Sequence, residues 1–142
     1  MRHIGHDFLG KSAGAGALSI WTHHMKDIEM SSQLESVDYA GPVTKLGLGV
    51  QAFEIYAAAK EAGVTMVGGE GATVGVVGGY VLGGGHSPVS GIYGMGADQV
   101  LSMQVITADG RFVTADQAEN SDLFWALCGG GGGKPTTSHY WS

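Results

Sequence analysis

His6 is the side chain whose surroundings suggest chemistry. It stands in Arg2-His-Ile-Gly-His6-Asp7. Gly5 lets the backbone close on a ligand, Arg2 can pair a phosphate, and the imidazole is held between them. His3 and His6 have H-x-x-H spacing, but no cysteine or acidic constellation completes a metal site, so no metal is expected. His23 and His24 are read as surface residues. Cys128, the single cysteine, lies beside a glycine run and reads as packing; it can form no internal disulfide and indicates no redox compartment.

The second chemical feature is main chain. Residues 63–96 hold 13 of the 26 glycines, interleaved with Val, Thr, Tyr and Leu rather than with the polar residues of a linker. Glycine costs backbone entropy, so this crowding implies positive-φ turns and a backbone that comes close to something flat or charged. The generic glycine signatures all fail. G-x-G-x-x-G is broken at Val74 and at Pro88. A Walker loop would need glycine where Cys128 stands and Ser or Thr where Pro135 stands, and the hydrolase elbow around Ser87 ends in Val89.

The elements that position these groups follow from periodicity. Residues 1–16 read as loop and residues 17–22 as a short strand, followed by a helical turn over 23–30 and a connection over 31–41. Residues 43–50 place Leu46, Leu48 and Val50 on one face of a strand, with glycines keeping the other face small. Over 51–62 the period becomes helical, through Ala52, Ile55, Ala59 and Ala62, and Gly63 ends the helix. A short strand is expected at 64–67 and a helical turn within 75–80. Two β-prone runs, 100–107 and 111–115, flank Ala108-Asp109-Gly110 as a hairpin. Asn120 is placed to cap a short helix that delivers the glycines at 129–133. The fold class is α+β, without repeats.

With 142 residues the chain suffices for one domain that buries roughly two-thirds of its unfolded surface. Hydrophobic residues at 44% and charged residues at 14% describe a globular chain. A net charge of −6, with seven scattered basic residues, argues against nucleic acid or an anionic membrane as partner. No apolar span is long enough to cross a bilayer, and the first residues lack the apolar core of a secretory signal. The compartment and the oligomeric state are left open.

Four segments, in order, resemble flavoprotein oxidases with a PCMH-type FAD-binding domain, the vanillyl-alcohol oxidase superfamily, and within it the berberine-bridge-enzyme-like oxidases. Arg2-His-Ile-Gly-His6-Asp7 is similar to the loop whose histidine is joined to the flavin 8α-methyl. Gly68-Gly-Glu-Gly-Ala-Thr-Val-Gly75 and Gly78-Gly-Tyr-Val-Leu-Gly-Gly-Gly-His86-Ser87 are similar to the segment around the pyrophosphate and isoalloxazine. Tyr93-Gly-Met-Gly-Ala-Asp98 leads into a hairpin like the one bordering the adenine, and residues 120–133 resemble the family's helix and glycine run.

The resemblance implies FAD as cofactor, attached through His6, with Asp7 orienting the ring. The contacts it implies are Arg2, Gly5, His6, Asp7, Gly68, Gly69, Gly71, Thr73, Val74, Gly78, Gly79, Gly83, Gly84, Gly85, His86 and Val105. Some relatives make a second bond through a cysteine; Gly71 stands at that place, so a single link is expected. The family's N-terminal portion and C-terminal substrate domain have no counterpart, which implies a truncated form: residues 1–133 a partial FAD-binding domain and 134–142 a divergent tail. Complete relatives act on a small-molecule substrate and are often secreted. The function implied is an FAD-dependent oxidoreductase, passing hydride to flavin with reoxidation by O₂. A non-catalytic flavin-binding remnant and a glycine-rich structural domain are the alternatives.

Overall fold

The computed structural model describes residues 6–10, 13–35, 39–131 and 137–141. Their centre is an antiparallel sheet of five strands: β1 (Ile28–Glu35), β2 (Ala40–Leu46), β3 (Ser102–Ile106), β4 (Phe112–Asp116) and β5 (Thr137–Trp141). The spatial order is β1-β2-β5-β3-β4, so β5 lies between two hairpins. β1 and β2 register Ile28 against Leu46 and are irregular between Ser31 and Leu34. β3 and β4 run from Ser102↔Asp116 to Ile106↔Phe112 about the expected Asp-Gly turn.

Helix α1 (Ala52–Ala62) forms where the alanine-rich pattern predicts. It buries Ala52, Ile55 and Ala59, while Ala62 is exposed. Glu54 accepts the Gln51 N–H at 2.8 Å and Lys26 Nζ lies 2.6 Å from its carboxylate, fixing the helix start. Gly63, at φ 71°, closes the other end in the left-handed conformation that glycine tolerates. A π-helical turn spans Val76–Tyr80 with a kink at Gly78, where ψ is −119°. The short helices α2 (Ser90–Tyr93) and α3 (Ser121–Leu127) complete the set, with a 3-10 turn at Gly96–Gln99. The core joins Leu46, Ile55, Val77, Val81, Met103, Ala115 and Leu127, drawn from the sheet, α1, the π turn and α3.

Several expectations are corrected. Residues 17–22 do not form a strand: only Trp21 makes a bridge, and Leu18, Ile20 and Trp21 stay exposed. Within the span 23–41, expected as a helical turn and a connection, residues 23–24 form a turn, Ile28–Glu35 form β1 and β2 begins at Ala40; the alternation of half-buried Ile28 and Met30 with exposed Glu29 and Ser31 carried the signal for β1. The strand expected at 43–50 starts earlier and stops at Leu46, because the chain from Thr22 to Met25 runs directly against the next two turns. There a Cβ on Gly49 would stand 2.5 Å from the carbonyls of Thr22 and His23, and one on Gly47 would collide with that of Met25. Residues 64–67 are not in the sheet. Asn120 stands before α3, but its side chain makes no cap: at φ 49° its Nδ2 donates to Thr114 O at 2.6 Å, tying the helix start to β4. No correction attaches to the tail read at 134–142, within which Thr137–Trp141 forms β5 and pairs with β3 from Ser102↔Trp141 to Ile106↔Thr137.

Candidate functional site

The turn over residues 71–74 docks on the start of α1 through its carbonyls. Ala72 O accepts the Phe53 N–H at 2.9 Å, Val74 O the Ala52 N–H at 2.9 Å, and Thr73 O the Gln51 Nε2 at 2.9 Å. These donors include main-chain N–H groups that a helix start leaves without intrahelical partners. One step upstream, Gly69 O accepts the Tyr56 hydroxyl at 2.5 Å. Burial raises the Tyr56 pKa above its ordinary value, which keeps that hydroxyl protonated as a donor.

With carbonyls turned inward, the amides turn outward. Among the described residues no acceptor meets the main-chain N–H of Gly69, Glu70, Gly71, Ala72 or Thr73. Residues 70–73 are exposed. A run of free N–H groups without bulky side chains suits an anion.

His6 reaches this turn. Its Nε2 lies 3.4 Å from Thr73 Oγ1, a contact across 67 positions of sequence. His6 is exposed, and Asp7 Oδ1 accepts the Leu9 N–H at 3.1 Å, bracing the turn that carries the imidazole. Arg2 and Gly5 lie outside the described residues. His6 and the turn over residues 71–74 thus lie side by side.

The glycines divide into two groups. Gly68 is buried behind the Tyr56 hydroxyl, which an added Cβ would strike. A Cβ on Gly69 would lie 3.0 Å from the Tyr80 ring, and one on Gly85 2.8 Å from it. A Cβ on Gly71 would lie 2.7 Å from Val74 Cγ2, within a tight turn closed by Val74 N–H to Gly71 O at 3.0 Å. Gly83 faces the carbonyl of Gly79 at 3.0 Å. These positions are glycine because the fold leaves no room. Gly79 differs: it is exposed and nothing lies within 4 Å of where its Cβ would be. Gly84, at φ 98°, meets only Met95 Cε at 3.6 Å. Gly78 is the kink already noted, and His86 stands exposed at the end of the stretch.

Val105 is not brought to the site. It is 0% exposed in the middle of β3, paired with Val113 on one side and Ser138 on the other, so it offers a ligand no surface. Sequence reasoning in turn missed Tyr56 and Tyr80, whose rings and hydroxyls hold the glycine loops; Tyr80 follows two glycines, which was an available signal, whereas Tyr56 stands among alanines in α1 and carried none.

Cys128 is half-buried at the end of α3, in a cleft of about 440 Å³ with Asp98, Gln117, Phe124 and Trp125. Burial, and then the Asp98 carboxylate, push its thiol pKa upward, consistent with packing and against a thiolate nucleophile. Among the described residues no group of three or more His, Cys, Asp or Glu could hold a metal ion. No helix among them is long and apolar enough to cross a membrane.

A flavin dinucleotide carries a charged pyrophosphate and a flat ring. The free amides of residues 69–73, the open space before Gly79 and the adjoining imidazole fit both parts.

The family described as "FAD binding domain" matches residues 1–116. FAD-linked oxidoreductase ZEB1 of Gibberella zeae is 54% identical over 133 residues, 94% of this chain and 23% of that protein. The crystal structure of the VAO-type flavoprotein MtVAO615 from Myceliophthora thermophila superimposes with a TM-score of 0.94 at 49% identity, covering 99% of this chain and 26% of that one. Glucooligosaccharide oxidase from Acremonium strictum, described with a 6-S-cysteinyl, 8α-N1-histidyl FAD, has a TM-score of 0.73 at 26% identity over 87% of this chain and 25% of that one. The chain therefore spans about a quarter of the length of each of these three relatives.

Proposed function

Because the chain belongs to the FAD binding domain family, we propose that it is the FAD-holding part of an oxidase and that His6 attaches the cofactor covalently. The observation that carries this reading is the contact of His6 with Thr73 at the edge of a turn whose amides have no acceptor among the described residues. Bound FAD supplies the redox chemistry, accepting a hydride from an organic substrate and returning the electrons to dioxygen.

The chain's own residues bind and orient. The amides of residues 69–73 neutralise pyrophosphate charge without lysines, in keeping with a chain of seven basic residues. Gly79 leaves space for a flat ring to approach main chain. The Thr73 hydroxyl holds one imidazole nitrogen of His6, leaving the other to bond the cofactor. By the family resemblance, the sulfur of a second link would stand where this chain has Gly71, so one link is proposed.

The test is flavin retention. Purified protein should be yellow, and the colour should stay with the pellet after acid precipitation. His6→Ala should release the flavin to the supernatant; acid-stable flavin in that variant refutes the attachment. Hydrogen peroxide formed on a panel of alcohols and sugars tests the oxidase reading, and a flavin-loaded chain that forms none with any of them counts against it.

A further inference from the structure

We propose that Tyr80 is a positioning residue for the cofactor: it sets the direction of the peptide between Gly85 and His86 so that the His86 N–H faces bound FAD. This rests on the FAD reading above. Tyr80 ends the π-helical turn, and three glycines from separate segments converge on its ring. A Cβ on Gly69, Gly85 or Gly96 would stand 3.0, 2.8 or 2.8 Å from a ring carbon. Its hydroxyl donates to Gly85 O and His86 O, both at 3.0 Å, one proton shared between two acceptors.

The consequence follows from peptide geometry. In a trans peptide the carbonyl of one residue and the N–H of the next point in opposite directions. Gly85 O is held on the protein side by Tyr80 and by the Gly96 N–H at 2.7 Å, which turns the His86 N–H the other way. No acceptor among the described residues meets that N–H, and His86 is exposed. Tyr56 acts in the same manner on Gly69 O and so aims the Glu70 N–H. A Cβ on Gly69 would lie 3.8 Å from His86 O, so the two tyrosine-set peptides are neighbours and serve one ligand.

The ring and the hydroxyl have separable roles. Tyr80→Phe keeps the surface on which the glycines pack. Gly85 O keeps its bond from Gly96, and His86 O gains access to water, so the fold loses little while the Gly85–His86 peptide is held by one hydrogen bond instead of two.

The whole chain and its Tyr80→Phe variant, each produced under flavin starvation so that no covalent bond has formed, are compared by FAD titration, by the shape of the bound-flavin absorption band, and by urea unfolding of the FAD-free protein. Tyr80→Phe should bind FAD roughly five- to tenfold more weakly, with an altered band and an unchanged urea midpoint. In the parent, FAD should slow hydrogen exchange at the His86 amide, and the variant should lose that protection. Equal affinity with an unchanged band, a urea midpoint that falls in step with affinity, or no protection of His86 in the FAD-bound parent each overturns the assignment. A parent that binds no FAD overturns the FAD reading as well, and only that result does so.

Discussion

Gly79 and Gly85 sit in one glycine stretch, yet the structure gives them opposite reasons for lacking a side chain. At Gly85, φ is 72° and a methyl group would stand 2.8 Å from Tyr80 Cε1 and 3.2 Å from Gly96 Cα. Left-handed backbone costs a non-glycine residue about 1–2 kcal/mol, and overpacking about 1–3 kcal/mol, so Gly85→Ala should destabilise by roughly 2–5 kcal/mol. That is a large share of the 5–15 kcal/mol typical of a domain. Gly79→Ala meets no atom within 4 Å and no positive φ. It should leave the FAD-free protein unchanged or stabilise it by up to about 1 kcal/mol, by restricting the unfolded chain. Its effect should appear on binding, where a methyl in the flavin's space should weaken affinity about tenfold, or about 1.4 kcal/mol. Urea unfolding of FAD-free protein followed by circular dichroism reads the first quantity, and flavin fluorescence titration the second. The reasoning is refuted if Gly79→Ala lowers the urea midpoint as far as Gly85→Ala does, or binds FAD as tightly as the parent.

Two further outcomes are expected. Burial and the neighbouring Asp98 raise the Cys128 pKa, so the native protein should react with iodoacetamide at pH 7 more slowly than the urea-unfolded chain, and its stability should fall as pH rises past the ordinary thiol range; equal alkylation rates would contradict this. Hydrogen bonds from Thr107 and then Arg111 lower Asp109 from 3.8 to about 2, so the hairpin turn is supported above the ordinary value and loses that support as pH falls through about 2; an NMR titration midpoint near 3.8 would show the turn is not so bonded.

Where local periodicity was strong, the sequence was readable. Helix α1 and the β3–β4 hairpin carry their own signals, alanines at helical spacing closed by Gly63 and an Asp-Gly turn between β-prone runs. β1 was hidden because its exposed residues, Glu29 and Ser31 to Gln33, are polar and only Ile28 and Met30 hint at the alternation. The strand expected at 17–22 had the alternation, but only Trp21 finds a bridge, and periodicity cannot supply a partner strand. At the site, the resemblance pointed to His6 and the glycines, but which glycines the fold itself demands was not legible. That depends on where the rings of Tyr56 and Tyr80 fall after folding, and ring placement is a tertiary fact. Val105 shows the converse: a position inherited from a motif whose side chain the sheet has taken for its interior.

The central place of β5 has a kinetic meaning. Each flanking hairpin closes over a short span, β1 with β2 and β3 with β4, whereas β5 must arrive from beyond α3 to join them. Bringing distant segments together costs more chain entropy than closing a hairpin, so the two ribbons can set their registers early and independently. Continuity of the sheet thus depends on a strand inserted between two ribbons rather than on growth from an edge.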